Sequence, residues 1–259
     1  MRAAFDFSGK TVLVTGASRG IGYGIAEAFA ASCADLAILA ENDLVHEAAQ
    51  KLSDMAKRPV RAIACDITDR KSVADALSGF DRIDVLVNNA GLERPTPLQD
   101  ADPAIDDTFA RVMAVNVTGT HNVTRAAIAK IPDGGRIVIT SSIWGKTAVP
   151  DFSAYIASKH ALIGMTRTWA KELGPRAITV NAVCPGWVKT EAAMRSLNSM
   201  AVKTGAKPDV LLDEIVAAQA IGGLMQPADV AGLYLFLASD AAANITGQAI
   251  NVDRGEVLA

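Results

Sequence analysis

Tyr155 and Lys159 stand four residues apart in "YIASK", within a stretch of helical periodicity. Residues at that spacing share a helix face, so the lysine ammonium can stand beside the phenol. A free tyrosine titrates near about 10, too high for a base at neutrality, and a neighbouring cation favours the phenolate. Such a pair can take the proton of an alcohol or return one to a carbonyl oxygen. Upstream, "ITSSIWG" places Ser141 and Ser142 at the end of an apolar run. A serine hydroxyl there can hydrogen-bond a substrate oxygen as charge develops on it. Neighbours on a strand point opposite ways, so one of the two serves and the other does not.

A second chemistry is written near the start. "VTGASRGIG" spaces Gly16, Gly20 and Gly22 directly after a β-branched run and at the opening of a helical one. In that context glycine allows a tight turn and a close backbone approach to a pyrophosphate. The helix N-terminus that follows offers free N–H groups and a positive dipole end to the anion.

These residues need a scaffold, and the alternation of the chain predicts one. Runs at 10–15, 36–40, 60–65, 83–89, 135–141, 178–185 and 248–252 read as strands. Segments 20–32, 43–56, 70–78, 104–130, 153–173 and 227–238 read as helices. The early strands are apolar on both faces, as in a parallel sheet covered on both sides. The expected fold is α/β: one Rossmann-type, doubly wound domain over residues 1–259, with about seven parallel strands. Residues 187–222 break the rhythm as a long helical insertion without a strand, and an excursion of that length suits a substrate lid.

Composition narrows the partners. The 259 residues are half apolar, carry a net charge of −3 and mix acids with bases throughout, so no basic stripe for nucleic acid is present. No apolar run reaches membrane-spanning length, and the start "MRAAFDFSGKTVLVTG" lacks the long apolar stretch of a secretory signal. A cytoplasmic location is therefore expected. Cys33, Cys65 and Cys184 show neither metal-ligand nor disulfide spacing and read as buried small hydrophobes; no metal is expected.

Taken together, these pieces resemble the short-chain dehydrogenase/reductase family almost end to end. The glycine pattern matches its TGxxxGxG turn, "NNAG" (88–91) follows the fourth strand, and Asn116 lies in "VMAVNVTG". The serine, "YIASK", "CPGWVKT" (184–190) and the closing "SDAAANITGQAINVD" (239–253) follow in the family's order. The resemblance implies a hydride-transferring alcohol dehydrogenase or ketoreductase. It selects Ser142, thirteen residues before the tyrosine, and makes Tyr155 the acid/base. Lys159 would assist it and bond the nicotinamide ribose, while Asn116 would hold the water of a proton relay. Gly16, Ser18, Arg19, Gly20, Ile21 and Gly22 would seat the pyrophosphate. Asp66 and Ile67 would lie by the adenine, Asn88, Ala90 and Gly91 along the adenosine, and Pro185, Gly186, Val188 and Thr190 at the nicotinamide end. Asp66 also reads as a turn residue, since Asp favours such positions. Asn181 and Asp229 match as structural hydrogen-bonders.

Cofactor choice rests on opposed charges. Glu41, after the second strand, suits a ribose 2′-OH and repels a 2′-phosphate, although the acid of NAD-dependent relatives falls one position earlier, at Ala40. Arg19 suits a 2′-phosphate. The balance points to NAD, with NADP as the alternative and an NADPH-dependent 3-ketoacyl or carbonyl reductase as the rival activity. Glu93, Arg94, Trp144, Phe152 and Trp187 are the substrate-pocket candidates beside Ser142. "CPGWV" and the helical insertion resemble members that oxidise 3-hydroxybutyrate. Trp144 and Phe152, however, stand where those carry polar carboxylate anchors, so a secondary alcohol or its ketone is the expected substrate. The resemblance also implies a homotetramer, built through the helices at 104–130 and 153–173. Arg254 departs from the glycine the family prefers near the C-terminus, and Cys33 from the glycine common after the first helix.

Overall fold

The computed structural model describes residues 5–258. Seven short runs form one wholly parallel sheet: β1 (Thr11–Thr15), β2 (Asp35–Ala40), β3 (Arg61–Ala64), β4 (Val85–Asn88), β5 (Arg136–Thr140), β6 (Thr179–Pro185) and β7 (Ala249–Val252). Their order across the sheet is β3-β2-β1-β4-β5-β6-β7. Val14 of β1 lies between Ile38 of β2 and Val87 of β4, and such β-branched neighbours pack well on a pleated surface. This α/β architecture agrees with the sequence expectation, strand for strand.

Helices cover both faces. α1 (Gly20–Ala31), α2 (Leu44–Ala56) and α9 (Pro227–Ala238) enclose one apolar core with Val12, Val14, Ile38 and Val183. On the other face α3 (Arg70–Ser78), α5 (Thr120–Ala127) and α6 (Ser153–Leu173) enclose Leu13, Leu39, Leu86, Ile137 and Ile139. Alternate residues of one strand thus serve opposite cores, which is why both faces had to be apolar.

Two expectations need correction. The helix expected unbroken over 104–130 is α4 (Ala104–Met113), a π-helical turn (Ala114–Gly119) and then α5. Cys33, expected buried, is exposed and adopts φ +64 after α1, a left-handed geometry that explains the glycine common there. Cys65 and Cys184 are buried. Arg254 also sits at positive φ, +56.

The 187–222 insertion folds as α7 (Glu191–Thr204) and α8 (Pro208–Ala217). A parallel bridge between Val188 and Met225 pins its base. Its return is held by Ile221 N donating to Arg254 O at 2.9 Å and by the Arg254 guanidinium donating to Gly222 O at 2.8 Å. Among the described residues no helix is long and apolar enough to cross a membrane.

Candidate active site

The strand order reverses between β1 and β4, and open α/β sheets bind ligands at that crevice, beyond the C-terminal strand ends. A cleft of about 770 Å³ runs there, from Glu41 and Asp66 at one end to Trp144 and Trp187 at the other. Its floor depends on missing side chains. A Cβ on Gly16, which has φ +65, would lie 2.6 Å from Ala90 Cα, and one on Gly22 would lie 2.2 Å from Gly16 O. Asn89 fastens this turn to β4. Its Nδ2 donates to Thr15 O and Gly16 O at 3.1 and 3.2 Å, while the Thr15 hydroxyl accepts from the Asn89 and Ala90 amides. Among the described residues no side chain caps α1. Its free N–H groups, with Ser18, Arg19, Gly20 and Ile21 lining the cleft, fit the pyrophosphate of a dinucleotide.

Beyond the ends of β2, β3 and β4 the cleft is lined by Glu41, Asp66, Ile67, Ala90 and Gly91. Asp66 makes the turn weighed for it and also lines the cleft. Its Oδ1 accepts from the Thr68 amide and hydroxyl at 2.9 and 2.8 Å, making the turn, and its Oδ2 meets Arg111 at 3.1 Å. Burial alone would raise its pKa, but the Thr68 and Arg111 hydrogen bonds prevail and hold the carboxyl below its usual range. Arg111 also lies 3.7 Å from Glu41. It lines the cleft from α4, far along the chain, and no local pattern announces it. Asn88, expected on the adenosine side, is instead turned away. It ends β4 buried, with Nδ2 donating to Thr124 on α5 at 2.9 Å, and the next residue, Asn89, takes the cleft-facing place.

The catalytic candidates converge at the β5 end. Ser142 and Tyr155 both line the cleft. Ser142 Oγ accepts from the Trp144 amide at 3.1 Å, opening a short 3₁₀ turn over Ile143–Gly145. Ser141 is committed elsewhere, donating to Lys159 O at 2.9 Å. Lys159 Nζ lies 5.4 Å from the centroid of the Tyr155 ring and donates to Thr140 O at 2.8 Å. Burial lowers Lys159 to about 8. The sequence expectation of a lysine-lowered tyrosine is reversed in the protein alone. Burial first, and then the charge of Glu93, push the Tyr155 phenol up, so it rests protonated.

Asn116 lies within the π turn, buried, and its side chain is fully engaged. Oδ1 accepts from Leu92 N at 2.7 Å, while Nδ2 donates to Leu92 O and to Ser158 Oγ, both at 2.9 Å. It clamps the loop after β4 against α6. Asn181 and Asp229 are structural, Asn181 bonding Ile245 O and the Gln248 amide and Asp229 closing a capping box on α9.

That clamped loop carries the substrate-side candidates. Glu93 and Arg94 line the cleft, Arg94 turning back to donate to Glu93 O at 2.8 Å. Trp144 and Trp187 line it too, with ring centroids 6.0 Å apart and edge to face. Phe152 is buried behind, its ring centroid 5.3 Å from that of Trp144, and supports the wall rather than forming it. Pro185, Gly186, Val188 and Thr190 run along the rim, and the Thr190 hydroxyl caps α7 through the Ala193 amide at 3.1 Å. α7 adds Arg195 and Ser196, which sequence reasoning did not single out within the long insertion. Ser196 donates to Glu93, Lys203 pairs with Asp151, and Glu191 lies 3.6 Å from Arg19. The insertion is thus tied across the cleft to the glycine turn and to the loop after β4.

A family model described as enoyl-(acyl carrier protein) reductase matches residues 16–256. The D-beta-hydroxybutyrate dehydrogenase of Cupriavidus necator is 34% identical over 96% of this chain and 98% of its own. A solved 3-oxoacyl-[acyl-carrier protein] reductase of Brucella melitensis, with bound NAD, superposes with a TM-score of 0.85 at 34% identity, covering 100% of this chain and 95% of its own. The L-sorbose reductase of Gluconobacter frateurii, complexed with NADPH and L-sorbose, superposes with a TM-score of 0.89 at 27% identity, covering 99% of both chains. The two solved reductases share the architecture and hold NAD and NADPH respectively, and the three proteins are named for different substrates.

Proposed function

The chain belongs to the short-chain dehydrogenase/reductase family, a nicotinamide-dependent family of oxidoreductases, and on that premise we propose that it interconverts a secondary alcohol and its ketone. The observation that carries this reading is the convergence of Ser142, Tyr155 and Lys159 at one end of a cleft whose other end is a glycine-floored helix N-terminus. A bound nicotinamide dinucleotide supplies or receives the hydride. The turn from Gly16 to Gly22 would hold its pyrophosphate, Asp66 and Ile67 would stand by the adenine, Ala90 by the adenosine, and Pro185 to Thr190 by the nicotinamide. Ser142 hydrogen-bonds the substrate oxygen, and Tyr155 delivers a proton to that oxygen in reduction or accepts it in oxidation. The phenol held protonated by burial is set for delivery. Acceptance needs added positive charge beside it. Lys159, lowered to about 8, holds an exchangeable proton near neutrality behind the phenol. Trp144 and Trp187 exclude water from the reacting face, and α7 with α8 acts as the lid.

The preferred cofactor in this reading is NAD. Glu41 stands where a ribose hydroxyl would be read, and Arg19 is drawn toward Glu191. A second reading, an NADPH-dependent ketoacyl or carbonyl reductase, draws support from Arg111, a cation 3.7 Å from Glu41 that offsets its charge. Parallel titrations with NADH and NADPH, followed by energy transfer from Trp144 and Trp187 to the nicotinamide, separate the two. Tighter NADH supports the dehydrogenase, tighter NADPH supports the reductase, and binding of neither refutes both. The same proposal includes a cytoplasmic homotetramer assembled through α4–α6.

A further inference from the structure

Among the described residues the largest side chain buried completely is Tyr234 of α9, and the chemistry above gives it no part. A phenylalanine would fill the same space without a polar atom, and a buried hydroxyl costs stability unless it is paired. Its partner is the hydroxyl of Thr140, the last residue of β5, 2.8 Å away. Thr140 in turn donates to Asn89 Oδ1 at 3.2 Å. An amide oxygen only accepts, so the Thr140 proton is committed to Asn89 and the phenol must be the donor to Thr140. Burial pushes the Tyr234 pKa up, which keeps the phenol a donor. Asn89 Nδ2 passes the chain on to Thr15 O and Gly16 O. The opposite amide orientation would set Oδ1 against two carbonyl oxygens, so the direction of every link is fixed. The turn is shaped around this amide. A Cβ on Gly22 would lie 2.4 Å from Asn89 Nδ2, and one on Gly16 would lie 3.1 Å from it.

On the reading of the cleft as a dinucleotide site, we infer that Tyr234 is a positioning residue for the cofactor: acting through Thr140 and Asn89, it fixes the two carbonyls that open the glycine turn and, with them, the N–H groups that follow. Tyr234 is fully buried away from the cleft wall, so it acts only through this chain. The first link orients the second. Without the phenolic proton, the Thr140 hydroxyl loses one of its two partners, and linked hydrogen bonds weaken together. A turn held in its binding geometry needs no ordering when the pyrophosphate arrives, whereas a loosened one does. Lys159 holds the Thr140 carbonyl rather than its hydroxyl, so the chain bears on the cofactor seat and not on the proton. α9 is also seated against the helix that the turn opens, since a Cβ on Gly24 of α1 would lie 2.8 Å from Pro227 Cβ.

The test is the dissociation constant of whichever of NADH and NADPH the wild type binds more tightly, read by nicotinamide fluorescence. The variants are Tyr234→Phe, Thr140→Val, Thr140→Ser and the double variant Tyr234→Phe/Thr140→Val. Tyr234→Phe keeps the ring and should weaken binding about threefold to tenfold, as the loss of one hydrogen bond allows. Thr140→Val should weaken it at least as much, because Asn89 Oδ1 then faces a methyl group. The double variant should match Thr140→Val, since the phenol has nothing left to act through. Thr140→Ser keeps the hydroxyl and should stay within about twofold of the wild type. In the free protein, amide exchange over Gly16–Gly22 should quicken in Tyr234→Phe. Wild-type affinity in Tyr234→Phe, even at a lowered melting temperature, makes the phenol a core residue only and overturns the inference. So do additive losses in the double variant, or a loss in Thr140→Ser equal to that in Thr140→Val. Should Thr140→Val fail to fold, Tyr234→Phe and Thr140→Ser still decide. A wild type that binds neither cofactor overturns the dinucleotide reading as well.

Discussion

Tyr155 and Lys159 are legible as a pair from their spacing, but their resting protonation is not. Burial decides it, and burial comes from elements far apart in the chain: β5, α6 and the loop after β4. The free protein therefore holds a neutral phenol and a lysine lowered to about 8. This has a consequence for stability. The unfolded chain keeps the lysine proton up to about 10.4, while the folded chain releases it near 8. Between those values unfolding takes up a proton, so the Lys159 contribution to stability grows with pH. Lys159→Met should remove a positive slope of up to about 1.4 kcal/mol per pH unit between pH ~8 and ~10, seen as a wild-type melting temperature that rises relative to that of the variant as the pH is raised through this range. Equal slopes in both proteins would refute the buried, depressed lysine. Asn88 and Asn89 show a finer limit. "NNAG" marks the place, and only the pleat at the end of β4 decides which asparagine meets the cleft. Arg111 had no sequence signal, because its partners Asp66 and Glu41 lie on other elements.

Strand and helix positions were largely readable because a doubly covered parallel sheet forces apolar runs at regular intervals. The π turn over Ala114–Gly119 was not, since one widened turn barely disturbs the hydrophobic period of a long helix. It nonetheless sets the position of Asn116 and, through Leu92, of the loop bearing Glu93. Asn116→Ala leaves the Leu92 N–H and C=O without their partner and should cost about 1–3 kcal/mol of stability, measured by denaturant unfolding. Because the loop loosens, hydrogen exchange at Leu92 and Glu93 should accelerate more than in the sheet. The strand–turn–helix element at Gly16–Gly22 is a stricter case. Gly22→Ala places a methyl 2.2 Å from Gly16 O, so NADH binding should fall by at least about a hundredfold, read by nicotinamide fluorescence. Unchanged affinity would mean that the turn does not seat the cofactor.

At the scale of the molecule, two well-packed cores hold a rigid sheet while α7 and α8 lie across its C-terminal edge. α8 has no buried residue, and the ties from Glu191 and Lys203 reach the body through largely exposed side chains, a class of pair worth little in isolation. Residues 191–217 should therefore exchange amide hydrogens well ahead of β1, β4 and β5, and should slow on addition of NADH as the lid settles over the cleft. The insertion was visible in the sequence as a break in the βα rhythm, but its closure over Glu93 and Arg19 depends on contacts across the cleft that no periodicity encodes. In the proposed reading the sheet, the turn and the lid all serve one proton transfer, at the Tyr155 oxygen. The decisive measurement is the rate of NADH formation from a secondary alcohol by the wild type and by Tyr155→Phe, at equal occupancy by cofactor. A loss of about a hundredfold or more in Tyr155→Phe, with NADH binding retained, is the predicted result. Full turnover without the phenol oxygen would contradict the account.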